Sequence, residues 1–196
     1  DAGESKRKLT KEAKFTFMFL GNLSPTAGID SLVSGFAATN LSNARLVIAG
    51  SGSMKESLEY QAKQYDGVDI EFWDAPMDQV PVIQAKADVF ILSLKKGVAK
   101  FALPSKLPAY MFSGKPIIAC VERSSDTARI ISQAKCGWVV PSEDINALSN
   151  IMKRAAASPV SMLDESGQNG LEFANANFSK EGNLSKFISI IDETSI

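Results

Sequence analysis

The chain has 196 residues, of which 45% are hydrophobic and 22% charged, and its formal net charge is −1. This length suits one sizeable domain rather than two full ones, and the near-neutral charge gives no sign of binding to nucleic acid or to an anionic membrane surface. Histidine is absent, which excludes a Ser-His-Asp or Cys-His mechanism, a His-ligated metal and a His general base from within this chain.

Residues 1–14 are rich in charge, and we interpret them as a leader or a linker remnant. Beyond them, apolar runs of strand length alternate with segments of helical spacing. Strands are predicted at Phe15–Leu20, Arg45–Ala49, Val68–Phe72, Asp88–Ser93, Pro116–Val121 and Gly137–Val140. Helices are predicted at Ile29–Thr39, Ser53–Gln64, Met77–Lys86, Leu107–Ser113, Ser125–Lys135 and Ile145–Ala157. Most of the strands are continuously apolar, which is typical of a parallel sheet with helices on both faces.

This alternation predicts the α/β class: a Rossmann-like, doubly wound parallel sheet of about six strands. We assign this sheet to residues 15–160, and residues 161–196 are predicted to form C-terminal helices. No run is long and apolar enough to predict a transmembrane helix or a signal peptide. The two cysteines, Cys120 and Cys136, are expected to be free buried thiols in a reducing cytoplasm.

In a doubly wound sheet, ligands bind where the strand order reverses, outside the carboxyl ends of strands one and four. That rule selects two loops, Gly21–Gly28 and Leu94–Ser105. The first has a glycine at each end and leads into a helix, so its backbone amides and the positive helix end suit a phosphate. An ordinary strand-to-helix turn is the alternative interpretation.

The second loop belongs to a basic stretch, because no acidic residue occurs between Asp88 and Glu122. The lysines of this stretch are Lys95, Lys96, Lys100, Lys106 and Lys115. A lysine beside a phosphate oxygen contributes about 4 kcal/mol of attraction at an effective dielectric constant of 20, before desolvation. The position at the sheet reversal favours an anion site, and a solvated lysine surface is the alternative.

Two further segments adjoin the same sheet edge. Gly50-Ser51-Gly52-Ser53 is not a dinucleotide fingerprint, because it follows strand two and Lys55 stands in place of the third glycine. We interpret it as a tight turn that lets the backbone approach a ligand. The loop Asp74-Ala75-Pro76, which follows Trp73, is placed to cover a base.

The ordered set of these motifs resembles one known family. The motifs are Phe19-Leu20-Gly21-Asn22-Leu23, Gly28-Ile29-Asp30, Leu46-Val47-Ile48-Ala49-Gly50-Ser51-Gly52, Ala87-Asp88-Val89-Phe90-Ile91, Pro104-Ser105-Lys106-Leu107, Tyr110-Met111, Gly114-Lys115-Pro116-Ile117-Ile118-Ala119 and Cys136-Gly137-Trp138-Val139-Val140-Pro141. From Phe15 to Ala157, the chain resembles the donor domain of group-1 (family 4) retaining glycosyltransferases.

That resemblance implies the GT-B arrangement, in which two Rossmann domains face a cleft. The C-terminal domain holds a nucleoside diphosphate sugar, of UDP or GDP type, as donor substrate. The chain would then be the donor-binding domain of a bacterial glycosyltransferase of the retaining kind that acts in surface polysaccharide synthesis. The resemblance implies no cofactor and no metal. Its partner would be its own N-terminal domain, to which residues 161–196 return. The enzyme would be cytoplasmic, or at the inner face of the cytoplasmic membrane through that domain.

The resemblance also implies the donor-binding residues. Gly21, Asn22, Ser24 and Lys106 would lie near the diphosphate, and the loop from Asp74 to Met77 would lie near the base. The full predicted set is Gly21, Asn22, Ser24, Gly50, Ser51, Asp74, Ala75, Pro76, Met77, Lys100, Ser105, Lys106 and Tyr110.

The chain departs from the family pattern at several positions. The family often has arginine at Asn22 and lysine at Ala27, and it usually has the two glutamates of an E-x7-E pattern at Phe101 and Ala109. Three interpretations stay open: sugar recognition differs, the domain is a degenerate, non-catalytic binding or interaction module, or the register here is wrong. In a working domain, Ser105, the Tyr110 hydroxyl and backbone carbonyls would have to hold the ribose. The absent histidine disfavours a nucleotide-sugar epimerase, and the absent G-x-G-x-x-G after strand one disfavours an NAD-dependent dehydrogenase.

Overall fold

The computed structural model describes residues 14–98 and 104–179, which form one parallel sheet with helices on both faces. The strands are β1 Phe15–Leu20, β2 Ala44–Ala49, β3 Ile70–Trp73, β4 Val89–Ser93, β5 Ile117–Cys120 and β6 Gly137–Val140. The helices are α1 Ile29–Ala37, α2 Lys55–Ala62, α3 Val80–Gln84, α4 Lys106–Phe112, α5 Asp126–Ala134, α6 Ile145–Ala157 and α7 Val160–Phe178.

The strand order is β3-β2-β1-β4-β5-β6. The chain therefore starts in the middle of the sheet, runs to one edge and returns to the other side of β1, which confirms the predicted doubly wound fold. The reversal falls between β1 and β4, as the sequence predicted. The strand ends differ from the predicted ones by at most two residues.

Alternate residues along each strand enter two separate hydrophobic layers, as the two-residue period of a strand requires. Phe17 and Phe19 of β1 pack in the layer that contains α1 and α6. Met18 and Leu20 face the opposite layer, which contains α3, α4 and α5. The second layer matters for function, because α3 and α4 border the sheet reversal there.

Two predicted helices are shorter in the structure by four residues or more. Residues Met77–Gln79 form a 3-10 turn, and only Val80–Gln84 is α-helical. The second helix begins at Lys55 rather than at Ser53 and ends at Ala62. The Met54 amide, just before this helix, donates a hydrogen bond of 3.0 Å to the Leu23 carbonyl of the neighbouring loop.

Helix α7 packs against α4 and α5 of its own domain. Gly167 lies so close to the Gly114 carbonyl that a Cβ atom there would collide with it, and a Cβ at Gly170 would lie 3.0 Å from the Cys136 Cβ. The domain thus extends beyond the predicted limit at residue 160, through Phe178. The predicted return of residues 161–196 to a second domain stays a prediction, and residues 180–196 lie outside the described part.

Strands β1 and β4 separate before β1 ends. They pair only at Phe17↔Val89 and Met18↔Phe90, whereas β1 pairs with β2 as far as Leu20↔Ala49. In place of a strand partner, the Leu20 amide donates to the Tyr110 hydroxyl at 2.9 Å, and that hydroxyl donates to the Leu20 carbonyl at 2.9 Å. The Tyr110 ring stacks on Phe90 with 4.3 Å between ring centroids. One side chain therefore joins α4 to both separating strands.

We predict that Tyr110→Phe lowers the free energy of unfolding by about 1–3 kcal/mol, because it leaves a buried amide and a buried carbonyl of Leu20 unpaired. Denaturant unfolding measures this change. Tyr60→Phe is the matched control, since Tyr60 is 71% exposed, and its effect should stay within about 0.5 kcal/mol. Equal stabilities of the two variants would contradict this account of Tyr110.

Candidate functional site

A pocket of about 400 Å³ opens at the carboxyl ends of β1 and β2, between α3 and α4. This volume falls within the range of small-molecule sites, about 300–1,000 Å³. The lining residues are Leu20, Gly21, Asn22, Gly50, Ser51, Ala75, Met77, Val80, Gln84, Ser105, Lys106, Ala109 and Tyr110. The pocket lies on one side of the predicted crevice between β1 and β4.

Lys106, the first residue of α4, is the charged side chain of this pocket. Its Nζ lies 4.0 Å from the centroid of the Phe19 ring, and its stem passes against Gly21, where a Cβ atom would collide with it. Within the described residues, the ammonium has neither a hydrogen-bond acceptor nor a carboxylate partner. Burial lowers the pKa of Lys106 to about 8. A half-buried cation without a counter-charge is a group that an anionic ligand stabilises.

Two loops in contact form the wall beside Lys106. The Leu23 amide donates to the Ser51 carbonyl at 2.8 Å, and Gly50 approaches Gly21 so closely that a Cβ atom at Gly50 would collide with the Gly21 carbonyl. Gly50 has a φ of 132°, which a glycine adopts without strain. The glycines after β2 therefore allow the loops to pack together.

The other described lysines of the basic stretch do not join Lys106. Lys95 forms an ion pair of 3.5 Å with Asp30, which lies in the first turn of α1. Lys96 is exposed and does not line the pocket. Lys115 lies just before β5, at the amino ends of the strands, whereas the pocket lies at their carboxyl ends. The positive end of α1, which we predicted as a phosphate site, already has the Asp30 carboxylate beside it. Lys100 lies outside the described residues.

The structure brings most of the predicted site residues together. Gly21, Asn22, Gly50, Ser51, Ala75, Met77, Ser105, Lys106 and Tyr110 all line the pocket. Pro76 does not line it, nor does Ser24, whose hydroxyl lies 3.0 Å from that of Thr26. Asp74 also lies outside the lining, because its carboxylate is 2.8 Å from the Lys55 ammonium, and this hydrogen bond lowers the pKa of Asp74.

The structure corrects the role that the sequence suggested for Tyr110. We predicted its hydroxyl as a group available to ribose, but the hydroxyl bonds to both backbone groups of Leu20, and the residue is only 1% exposed. Burial also raises the pKa of Tyr110. The residue thus shapes the pocket with its ring rather than with its hydroxyl.

Sequence reasoning did not assign Leu20, Val80 or Gln84 to the site. Val80 and Gln84 lie four residues apart, so they share one face of α3, but the sequence does not show which helix face meets the crevice. Lys106, Ala109 and Tyr110 similarly share one face of α4. Ala109, the position of a missing family glutamate, therefore faces the pocket without contributing a polar group.

The described residues contain no group of three or more His, Cys, Asp or Glu side chains that could hold a metal ion. Among the described helices, none combines the length and apolar composition that crossing a membrane requires.

Comparison with known proteins places this chain in a family. The family model for glycosyl transferases group 1 matches residues 1–173. The chain belongs to the group 1 glycosyl transferases. It is 25% identical over 181 residues to the probable glycosyltransferase WbjE of Pseudomonas aeruginosa, and the match covers 92% of this chain and 44% of WbjE. The chain thus spans less than half the length of that relative.

Two solved structures share the fold of this chain. The crystal structure of Anabaena HepE in complex with UDP matches with a TM-score of 0.75 at 15% identity, over 92% of this chain and 49% of HepE. The C-terminal domain of the group 1 family protein LpcC from Francisella tularensis matches with a TM-score of 0.69 at 16% identity, over 85% of this chain and 87% of that domain. This chain therefore has the same Rossmann-like fold as these two proteins.

We predict that the stability of the protein carries a pH dependence from Lys106. Between about pH 8 and pH 10.5, the unfolded chain holds a proton on this lysine that the folded protein has released. Raising the pH through this window therefore stabilises the wild type relative to Lys106→Met, which has no proton to lose. Thermal unfolding at pH 7 and pH 10 measures the difference in Tm between the two proteins.

The variant should gain in Tm over the wild type at pH 7, and this gain should shrink at pH 10. Lys153→Met, which removes an exposed lysine of α6, is the control for loss of a lysine charge. A Tm difference for Lys106→Met that is the same at both pH values would contradict the burial of its ammonium.

Proposed function

We propose that this chain is the nucleotide-sugar (donor) binding domain of a bacterial glycosyltransferase, of the retaining kind, in surface polysaccharide synthesis. One observation carries the proposal: the Lys106 ammonium has no counter-charge among the described residues and is held against Gly21 in a pocket beside the sheet reversal. Membership of the glycosyl transferases group 1 family supports the reaction class. Retention and the polysaccharide role rest on the resemblance to family 4 enzymes.

The two ends of the pocket differ as the two ends of a nucleoside diphosphate do. Lys106, Ser105 and the loops at Gly21 and Gly50 offer a cation, a hydroxyl and backbone amides, which suit a diphosphate. The segment from Ala75 to Gln84 is mostly apolar where it lines the pocket, as the face of a base requires. HepE is described in complex with UDP, and this supports UDP as a ligand of the present chain, with GDP as the other donor type.

In transfer, the bond between the sugar C1 and the terminal phosphate oxygen breaks, and negative charge develops on the departing diphosphate. An ammonium and backbone N–H groups fixed around that position stabilise the charge more in the transition state than in the ground state. Among the residues that the structure describes, Lys106 is the charged side chain that lines the pocket and could stabilise this negative charge. Stabilising the charge of the departing diphosphate requires no titrating base from this chain, which agrees with the absence of histidine.

We propose that transfer needs a second domain to supply the acceptor site. The chain covers 44% of WbjE, and it covers 87% of a structure described as the C-terminal domain of a group 1 protein. Both findings support an N-terminal GT-B domain as the partner. Association with the inner face of the cytoplasmic membrane would occur through that domain.

The second candidate function is a degenerate domain that acts as a non-catalytic binding or interaction module. Ala109 favours it, because this position faces the pocket and lacks the carboxylate that the family usually has there. The two functions differ in one property that is simple to measure, the binding of a nucleoside diphosphate.

We predict that the chain binds UDP or GDP and that Lys106→Met weakens this binding by at least about 1 kcal/mol, roughly fivefold in Kd. The reason is that a hydrogen bond to a charged group contributes about 1.5–3 kcal/mol. Isothermal titration calorimetry at pH 7 measures the affinities. Lys153→Met is the matched control, since it removes an equal charge from the opposite layer of the domain.

The control should bind as the wild type does. If the wild type binds neither nucleotide, the donor-binding function fails and the non-catalytic module is favoured. If Lys106→Met and Lys153→Met bind equally well, Lys106 is not part of the site.

A further inference from the structure

Gln84 is an amide side chain on an otherwise apolar wall of the pocket. Four residues of the segment after β3 line the pocket, and the other three are Ala75, Met77 and Val80. Gln84 lies one helical turn after Val80 on the same face of α3. Ile83, next to it, is 6% exposed and points into the core. The helix therefore presents Gln84 to the pocket because its neighbour is fixed in the interior.

The Gln84 amide is half-buried, and within the described residues it has no hydrogen-bond partner. Other polar groups near this wall are already committed: the Tyr110 hydroxyl bonds to Leu20 and the Asp74 carboxylate bonds to Lys55. Ala109, across the pocket on α4, offers no polar atom. A ligand with a polar edge that enters between α3 and α4 thus meets the Gln84 amide, which can donate and accept at once. The other amide of the lining, Asn22, lies in the loop after β1 rather than on α3 or α4.

We propose that Gln84 is a donor-binding residue that hydrogen-bonds the edge of the donor's nucleobase while Ala75, Met77 and Val80 pack against its faces. This inference rests on the proposed donor-binding function. A base is apolar on its two faces and carries donors and acceptors only on its edge, so a site that reads it needs an apolar wall and a polar group at the rim of the ring. Glutamine forms paired hydrogen bonds with base edges in other recognition sites.

Each base edge offers a donor and an acceptor side by side. Uracil presents a carbonyl oxygen and then an N–H, whereas cytosine presents an amino group and then a ring nitrogen acceptor at the same two places. A side-chain amide carries both an acceptor and donors and can turn over about its last torsion angle, so it can pair with either order. Pyrophosphate and ribose 5-phosphate lack a base, so the affinity for a nucleotide compared with the affinity for these two ligands isolates the contribution of the edge.

The experiment measures the Kd values of UDP, CDP, GDP and ADP by calorimetry for the full 196-residue chain and for two variants. Gln84→Leu removes the amide at nearly constant size. Gln79→Leu makes the same change at an exposed residue of the same segment that does not line the pocket. We expect Gln84→Leu to weaken the binding of the tightest of these nucleotides at least fivefold, and Gln79→Leu to bind it within twofold of the wild type.

Inorganic pyrophosphate and ribose 5-phosphate complete the experiment, and Gln84→Leu should bind both as the wild type does. If Gln84→Leu weakens ribose 5-phosphate and the nucleotides alike, the amide holds ribose and the proposal is overturned. Unchanged affinities of Gln84→Leu for all four nucleotides also overturn it. Failure of the wild type to bind any nucleoside diphosphate would instead overturn the proposed function itself.

Discussion

The hydrogen bonds between the Tyr110 hydroxyl and Leu20 hold the site together. A doubly wound sheet must open where its strand order reverses, and the backbone groups of the strand that loses its neighbour then need other partners. Here the amide and the carbonyl of Leu20 both bond to one phenol, each at 2.9 Å. Because Tyr110 belongs to α4, the same bonds that satisfy the end of β1 also fix the helix that carries Lys106.

The position of Lys106 follows from that anchor and from the glycine at residue 21. The lysine lies one helical turn before Tyr110, so its side chain extends over the end of β1, and its stem fits only because Gly21 has no Cβ. Phe19 lies under the ammonium at 4.0 Å, a contact that stabilises a cation but leaves its hydrogen-bond donors free. The protein thus keeps a half-buried positive charge, at a cost in free energy that the lowered pKa of Lys106 reflects.

The sequence was sufficient to predict the sheet order, because strand alternation and the rule for sheet reversals depend on chain order alone. Gly21 and Lys106, which border that reversal, line the pocket, whereas the other described lysines of the basic stretch do not. The sequence was not sufficient to assign partners to polar side chains. Lys95 pairs with Asp30, and the Tyr110 hydroxyl is used by Leu20. Gln84 faces the pocket only because Ile83 occupies the core. Each of these outcomes depends on the packing of elements far apart in the chain, which a pattern within one segment does not specify.

The most direct test of this account is a crystal structure of the chain with UDP bound. The account places a diphosphate oxygen at hydrogen-bond distance from the Lys106 Nζ, about 2.7–2.9 Å for a charge-assisted bond. It places the base between α3 and α4, against Val80. A structure in which UDP lies outside this pocket, or in which the diphosphate points away from Lys106 towards solvent, would contradict the claim that this lysine is the anion site.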